Sequence, residues 1–204
     1  MASLPPRTAN RTFSSLIFKV DPSIAIELRY AGINNIAHCA LYPPGTKALT
    51  RPEVAKSLVA AQKILQHYDY SLKIWDAYRP TSAQHALWAA SRNNTYVADP
   101  DSGAGSLHTW GLAVDATLVD KKHRPVSMPT DFDDFTPAAL WKYLGPDPNV
   151  RLHLRLLQIC MGRSGFYGLR SEWWHFASQK WKQLLPPDQA EKALRALRDS
   201  QRKL

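Results

Sequence analysis

Two short segments of this sequence carry the residue types that bind transition metals. Ser106 to Asp115 contains a histidine and an aspartate, and Glu172 to His175 contains a glutamate and a second histidine. A catalytic zinc site takes three protein ligands from histidine, carboxylate or cysteine side chains and keeps a fourth position open for water. His108, Asp115 and His175 would supply two imidazoles and one carboxylate.

Glu172 would then lie beside the metal without binding it. That is the place of a general base, which takes a proton from zinc-bound water as the water attacks a carbonyl carbon. Spacing alone does not establish this site. His108 and Asp115 are an odd number of residues apart, so a continuous strand would turn them to opposite faces. A bend at Gly111 would remove the conflict by leaving His108 in the loop before the strand.

The interval between Glu172 and His175 is also odd, so a strand start or a bulge near Glu172 is required. A second interpretation stays open on these residues alone. A histidine beside a tryptophan is more often a packed, hydrogen-bonded side chain than a metal ligand, and Trp173 and Trp174 would most simply belong to the core. A third segment, Trp75 to Pro80, favours the metal site when it is taken together with the first two.

The three segments together resemble the VanX-type D-alanyl-D-alanine dipeptidases, a branch of the zinc D,D-peptidase family (peptidase family M15, subfamily D) that is related to the metal domain of hedgehog proteins. The patterns Ser-x-His-x-x-Gly-x-x-x-Asp, Glu-Trp-Trp-His and Asp-x-Tyr-Arg-Pro occur in the order that the family has. Weaker similarity extends from about Tyr30 to Ala177. The matching residues are Ser106, His108, Gly111 and Asp115, then Glu172, Trp173, Trp174 and His175, and Asp76, Tyr78, Arg79 and Pro80.

The resemblance implies one zinc ion per chain, held by His108, Asp115 and His175. It implies that Glu172 is the base that assists the attack of zinc-bound water. It also implies that Arg79 stabilises the oxyanion of the tetrahedral intermediate, a task that suits an always-charged guanidinium. Without the other motifs, Arg79 would be interpreted as a surface cation at the end of a strand.

The resemblance further implies a small dipeptide substrate whose charged ends are both recognised. Asp133 matches the carboxylate that holds the free ammonium, Tyr30 matches a tyrosine that assists it, and Ser106 is expected to help hold the C-terminal carboxylate. A charge-assisted bond to the ammonium would reject peptides that are blocked at the amino end. On residue type alone, Asp133 fits an acidic solvated loop equally well. Trp110 and Pro129 stand where the family often has arginine and glycine, which leaves the exact dipeptide open.

We therefore predict a zinc metallopeptidase that hydrolyses D-Ala-D-Ala or similar small D-amino-acid dipeptides. Two alternatives stay open: a zinc D,D-carboxypeptidase that acts on peptidoglycan stem peptides, and a catalytically silent zinc-binding domain of the hedgehog kind. The physiological role could be nutrient recycling, cell-wall turnover or vancomycin resistance, and the sequence does not choose among them.

Helices and strands in mixed order must position these residues. Thr50 and Glu53 stand in capping-box spacing before the first predicted helix, which continues to about His67. Long loops over 92–106 and 120–137 are expected to close a cleft around the zinc. Because strands and helices do not alternate regularly, we predict an α+β fold with a central, mostly antiparallel sheet flanked by helices, like that of the hedgehog and D,D-peptidase zinc domains. The other predicted strands are 71–77, 112–119 and 169–177, and the other predicted helices are 82–91, 138–144, 151–160 and 187–202.

Length and charge set limits on the remaining possibilities. The 204 residues predict a single domain over 1–204, with a core of about 20–185 and a C-terminal helix over about 187–202. The net charge of +9 favours acidic partners, but no stretch has the Lys/Arg clustering of a nucleic-acid-binding arm, so we expect no nucleic-acid partner. No apolar run is long enough to span a membrane.

The chain shows no signal-peptide pattern, which predicts a cytoplasmic protein. A chain from which an export signal has been removed would look the same, and the protein would then be periplasmic. Cys39 and Cys160 lie in apolar surroundings that are typical of buried, inert thiols, although one disulfide between them is possible. The oligomeric state is not predicted.

Overall fold

The computed structural model describes residues 15–93, 95–102 and 104–202. A five-stranded mixed sheet forms its centre, with strand order β2-β4-β5-β7-β6. β2 pairs in parallel with β4, and the other neighbouring pairs are antiparallel. β1 and β3 form a separate two-stranded antiparallel sheet. The strands are β1 (Ser15–Leu16), β2 (Ala25–Ile26), β3 (Leu49–Thr50), β4 (Tyr70–Asp76), β5 (Ala113–Asp120), β6 (Phe166–Leu169) and β7 (Glu172–Ser178).

Helices pack around this sheet, which confirms the predicted α+β class. The long helix after β3 contacts both β4 and the helix that precedes β6. None of the described helices is long and apolar enough to cross a membrane. The helices are α1 (Ile17–Val20), α2 (Pro52–Gln66), α3 (Thr81–Ser91), α4 (Pro148–Arg163), α5 (Trp181–Leu184) and α6 (Pro187–Arg202).

The start of α2 differs from the sequence prediction. Val54, Leu58 and Leu65 form the expected buried stripe, but the capping box was wrong. The helix is preceded by Arg51 at the N-cap, without a side-chain cap. Thr50 lies in β3 instead, where its hydroxyl donates to the carbonyl of Gly111 at 3.0 Å. The hydroxyl of Thr50 therefore makes a long-range hydrogen bond and does not cap α2.

The predicted strand 169–177 is present from Glu172 onward as β7, but its first three residues belong to the end of β6 and to the turn of a hairpin. β6 and β7 are separated by a turn at Arg170 and Ser171. The predicted helix over 138–144 was also wrong, because only a 3-10 turn over Pro137–Ala139 forms there. The backbone N–H of Trp141 donates to the carbonyl of Arg170 at 2.9 Å, so the segment that follows the 3-10 turn contacts the turn of the hairpin.

The two cysteines are both free thiols. Cys160 is buried in α4, as expected, whereas Cys39 is exposed, so the prediction of a buried thiol was wrong for Cys39. Cys39 belongs to a surface turn after the first short 3-10 helix, and the apolar neighbours that suggested burial do not cover it.

Candidate metal centre

His108 lies in a 3-10 turn (Leu107–Trp110) directly before β5. The turn begins after Ser106, whose Oγ accepts the N–H of His108 at 3.2 Å, and it ends at Gly111 with φ of +66°. Glycine adopts this left-handed conformation without steric cost. The chain therefore bends at Gly111, as expected from the odd spacing. The Nδ1 of His108 lies 2.8 Å from the carbonyl of Ala77, so Nδ1 carries the proton and Nε2 is free to bind a metal.

Asp115 in β5 and His175 in β7 are directly paired on neighbouring antiparallel strands. Directly paired residues of an antiparallel sheet project to the same face. Glu172 begins β7, and the register between β6 and β7 shifts between Gly168 and Leu169. This irregularity lets Glu172 and His175 line the same cavity despite their odd spacing, as required.

Three candidate ligand atoms converge at this point. The Nδ1 of His175 lies 3.1 Å from the Nε2 of His108 and 3.2 Å from the Oδ1 of Asp115, and the last two atoms are 3.4 Å apart. In a tetrahedral zinc site with bonds near 2.0–2.1 Å, ligand atoms are separated by about 3.3 Å. The observed triangle therefore fits zinc, and no other metal-ligating cluster of this kind occurs among the described residues.

The protonation states of these ligands also suit a metal. Burial lowers the pKa of His175, which favours the neutral imidazole that metals bind. Burial opposes ionisation of Asp115, but His108 and His175 outweigh it and hold the pKa of this carboxyl well below its ordinary value. Asp115 is therefore the carboxylate that the site needs.

Asp76 lies next to the candidate metal centre and contacts two of its residues. It is fully buried, accepts a hydrogen bond from the hydroxyl of Tyr42, and lies 3.4 Å from the Nδ1 of His108. It also accepts from Arg79, with distances of 2.9 Å from Nε and 2.7 Å from Nη2. Sequence reasoning placed Asp76 in a motif but gave it no role. Here it orients both a candidate ligand and the candidate oxyanion-stabilising arginine.

Arg79 is a buried cation at this centre and not a surface residue. Its Nη1 donates to the Oε1 of Gln84 at 2.9 Å, and its Nη2 lies 3.6 Å from the Oδ2 of Asp115. The guanidinium carbon sits 4.7 Å from the centre of the Tyr30 ring. Asp76 and Gln84 occupy three of its five N–H groups, and the two others remain on the terminal nitrogens.

Glu172 is buried, and its Oε1 has no hydrogen-bond partner among the residues that the structure describes. Burial raises the pKa of Glu172 well above its ordinary value, and the carboxylates of Asp115 and Asp133 raise it further. A carboxyl group with a raised pKa in a cleft has the properties of a general base or acid.

Asp133 and Tyr30 meet at the same cavity. The hydroxyl of Tyr30 donates to Oδ1 of Asp133 at 3.3 Å, and the N–H of Ile36 donates to Oδ2 at 3.1 Å. Burial raises the pKa of Asp133 to about 7. Asp131 and Asp134, by contrast, are exposed.

A cavity of about 300 Å³ contains all of the site residues expected from the sequence. Residues 95–102, called the wall segment below, form one side of it, and Phe135 contributes from the second long loop. The expected cleft between two long loops is therefore present. Trp110 does not line the cavity, and its Nε1 donates to the carbonyl of Ala104 at 2.9 Å. The expected residues at the cavity are Tyr30, Arg79, Ser106, His108, Asp115, Asp133, Glu172 and His175.

Comparison with known proteins decides the family. The family model described as D-ala-D-ala dipeptidase of peptidase M15 matches residues 14–190. The chain belongs to the peptidase M15 family. The similar curated proteins include the D-alanyl-D-alanine dipeptidase of Escherichia coli (strain K12), which is 35% identical over 155 residues, or 76% of this chain and 79% of that protein. The D-alanyl-D-alanine dipeptidase of Enterococcus faecium is 30% identical over 141 residues, or 61% of this chain and 70% of that protein.

Two further residues of this M15 peptidase were missed by sequence reasoning. Tyr167 lines the cavity, and its buried hydroxyl has no hydrogen-bond partner within the described ranges. It pairs with Ala177 in the β6–β7 ladder, two residues from His175, and therefore projects to the face of the metal centre. No sequence signal pointed to it, because β6 was not predicted. Gln84 was missed because a glutamine inside a helical pattern normally indicates a solvent-facing position.

Proposed function

We propose that this M15 peptidase is a zinc-dependent dipeptidase that hydrolyses D-Ala-D-Ala or similar small D-amino-acid dipeptides. One observation carries the proposal: the three converging ligand atoms of His108, Asp115 and His175 share a cavity with the buried carboxyl of Glu172, whose Oε1 has no hydrogen-bond partner among the described residues. A purely structural metal site would need no such group.

Zinc held by His108, Asp115 and His175 would supply Lewis-acid activation of water and of the scissile carbonyl. Glu172 is the proton carrier of the reaction. Its Oε1 accepts the proton of the attacking water and passes it to the amine nitrogen as the peptide bond breaks. The raised pKa supports this role, because a stronger base retains the proton between the two steps.

Arg79 stabilises the negative charge that develops on the carbonyl oxygen. Asp76 and Gln84 fix its guanidinium, so little reorganisation is needed when the charge appears. Removal of one such donor typically lowers the rate by about 10²–10³. The position of Arg79 beside Asp115 supports the assignment, because it places the guanidinium next to the metal ligands.

The ends of the substrate are recognised by the other cavity residues. Asp133, held by Tyr30, binds the free ammonium, and the hydroxyl of Ser106 helps to hold the C-terminal carboxylate. A volume of about 300 Å³ is at the lower end of the range for ligand pockets, which suits a dipeptide.

The test is hydrolysis of D-Ala-D-Ala by the zinc-loaded protein, compared with amino-acetylated D-Ala-D-Ala and L-Ala-D-Ala. We expect cleavage of the free D,D-dipeptide and loss of that cleavage in Glu172→Gln, which keeps the shape of the side chain and the bound zinc. Cleavage of the acetylated peptide would instead indicate a carboxypeptidase. Zinc binding without hydrolysis of any of the three peptides would indicate a silent zinc-binding domain.

A further inference from the structure

Gln84 is fully buried in α3 and connects Arg79 to the wall of the cavity. Its Oε1 accepts from the Nη1 of Arg79 at 2.9 Å, and its Nε2 donates to the carbonyl of Ala98 at 2.6 Å. Ala98 belongs to the wall segment, residues 95–102, which lines the cavity. The amide side chain supplies the acceptor for Arg79 and the donor for Ala98 on two separate atoms.

We infer that Gln84 is a positioning residue that couples the orientation of Arg79 to the closed position of the wall segment. The functional part of this inference rests on the proposed role of Arg79 in dipeptide hydrolysis. The structural part, that the two regions move together, does not depend on catalysis.

Asp76 and Gln84 hold different corners of the Arg79 guanidinium. Its Nε and Nη2 both donate to the same oxygen of Asp76, which by itself would leave the guanidinium free to pivot about that oxygen. The bond from Nη1 to Gln84 holds a second corner of the fork and so fixes the plane. Catalytic groups must be held within a narrow range of distance and angle, so this second attachment affects the rate.

Gln84 also holds the wall segment, through its hydrogen bond to Ala98. A charged donor on Oε1 polarises the amide and strengthens the bond from Nε2 to Ala98 in a buried environment. If the wall segment withdraws, the amide of Gln84 loses its acceptor, and a buried polar group without a partner destabilises that arrangement. If Arg79 turns away, Oε1 loses its donor, with the same effect. The closed wall and the oriented arginine therefore stabilise each other.

A separate contact also holds the wall segment. The rings of Tyr96 and Phe135 are stacked, with centroids 4.4 Å apart and planes inclined by 20°. Because this contact does not involve Gln84 or Arg79, loss of the amide bond should loosen the segment without releasing it completely.

The test uses trypsin cleavage after Arg92, an exposed residue at the end of α3 next to the wall segment. The appearance of the fragment that begins at Asn93 is followed by mass spectrometry in wild type, Arg79→Lys, Gln84→Leu and the double variant. Arg79→Lys keeps the charge beside Asp76 but loses the Nη1 group that donates to Gln84. We expect each single variant to accelerate cleavage about tenfold, and the double variant to be no faster than the faster single variant.

Gln84→Glu is the matched variant, because it keeps the acceptor for Arg79 and replaces the donor to Ala98 by an oxygen. It should also accelerate cleavage after Arg92. Cleavage after Lys121, in an exposed turn remote from α3, is the internal control and should keep the wild-type rate. Equal acceleration at both sites would mean global loosening and would overturn the inference, as would a wild-type rate after Arg92 in Arg79→Lys.

Activity provides a second readout. In the wild-type background, Gln84→Leu should lower kcat for the dipeptide about tenfold. In the Arg79→Lys background, the same substitution should have little further effect. A merely structural role of Gln84 would lower kcat equally in both backgrounds. If the wild-type protein fails to hydrolyse dipeptides, the proposed function fails, but the cleavage pattern still tests the coupling. If the wild-type protein hydrolyses dipeptides, but the effects of the two single substitutions on the rate of trypsin cleavage add in the double variant, only the coupling fails.

Discussion

At the scale of single residues, Asp133 has the most informative environment. It has a left-handed backbone with φ of +57°, and two donors hold its carboxylate in a half-buried position at the cavity. Burial raises its pKa to about 7, so near neutral pH the side chain is divided between the neutral and the ionised form. A substrate ammonium would favour the ionised form.

This raised pKa gives the zinc-free protein a pH-dependent stability. Between the ordinary carboxyl pKa near 4 and the raised value near 7, the folded state binds more protons than the unfolded state. The free energy of unfolding therefore decreases as the pH rises through this window. We expect the stability of wild type relative to Asp133→Asn to fall by about 3 kcal/mol between pH 4.5 and pH 8, as measured by urea denaturation.

Asn is the suitable replacement because it tolerates a left-handed backbone and cannot ionise. The same comparison in a Glu172→Gln background removes the contribution of Glu172, whose pKa is raised by burial and also by Asp133 itself. Parallel stability curves for the two proteins across this pH range would contradict the assigned environment of Asp133.

At the scale of elements, the close packing of Trp141 on the β6–β7 hairpin requires glycine at position 168. A Cβ placed on Gly168 would lie 1.8 Å from the ring of Trp141, which also contacts Phe176 with ring centroids 5.7 Å apart. Only glycine leaves room for this contact. The hairpin in turn carries the irregular register that brings Glu172 to the cavity.

We expect Gly168→Ala to destabilise the protein by about 1–3 kcal/mol through overpacking. Gly162→Ala is the matched control. A Cβ there meets nothing within 4 Å, and the residue is helical, so alanine should stabilise by about 0.5–1 kcal/mol. Thermal unfolding measures both effects. If Gly168→Ala were harmless while Trp141→Ala was not, the contact between ring and glycine would be refuted.

Sequence reasoning succeeded where local patterns determine structure and failed where distant contacts do. The stripe of α2 and the bend at Gly111 follow from periodicity and from glycine chemistry, and both were predicted. The hairpin over 166–178 and the irregular segment at 138–144 contact each other through Trp141, whose partners Arg170 and Phe176 are far along the chain. Periodicity over a short window contains no information about such partners.

The same division applies to the site. The motifs predicted residues that meet at one cavity because each motif contains a candidate ligand, the candidate base or the candidate oxyanion-stabilising arginine. The supporting residues Asp76, Gln84 and Tyr167 received no role, because support is a property of three-dimensional contacts. Their residue types would fit many ordinary positions in a core or on a surface.

At the scale of the whole molecule, the proposed zinc site should contribute to stability. Ligands that bind only the folded state stabilise it by mass action, by about 2.7 kcal/mol when free zinc is 100 times its Kd. We expect zinc to raise the midpoint of thermal unfolding, a chelator to reverse the shift, and His175→Ala to abolish it. His67→Ala, which changes an exposed histidine at the end of α2, should keep the shift. An equal zinc effect in both variants would place the binding elsewhere.

The sequence positions of the three candidate ligands also determine when the candidate site can assemble during synthesis. His108 and Asp115 are close in the chain, but His175 lies 60 residues after Asp115 and reaches it only through the pairing of β7 with β5. A nascent chain that has emerged as far as β5 presents two ligands and no base, because Glu172 belongs to the same late strand. The candidate ligand set and the candidate base would therefore be completed together, when the hairpin joins the sheet.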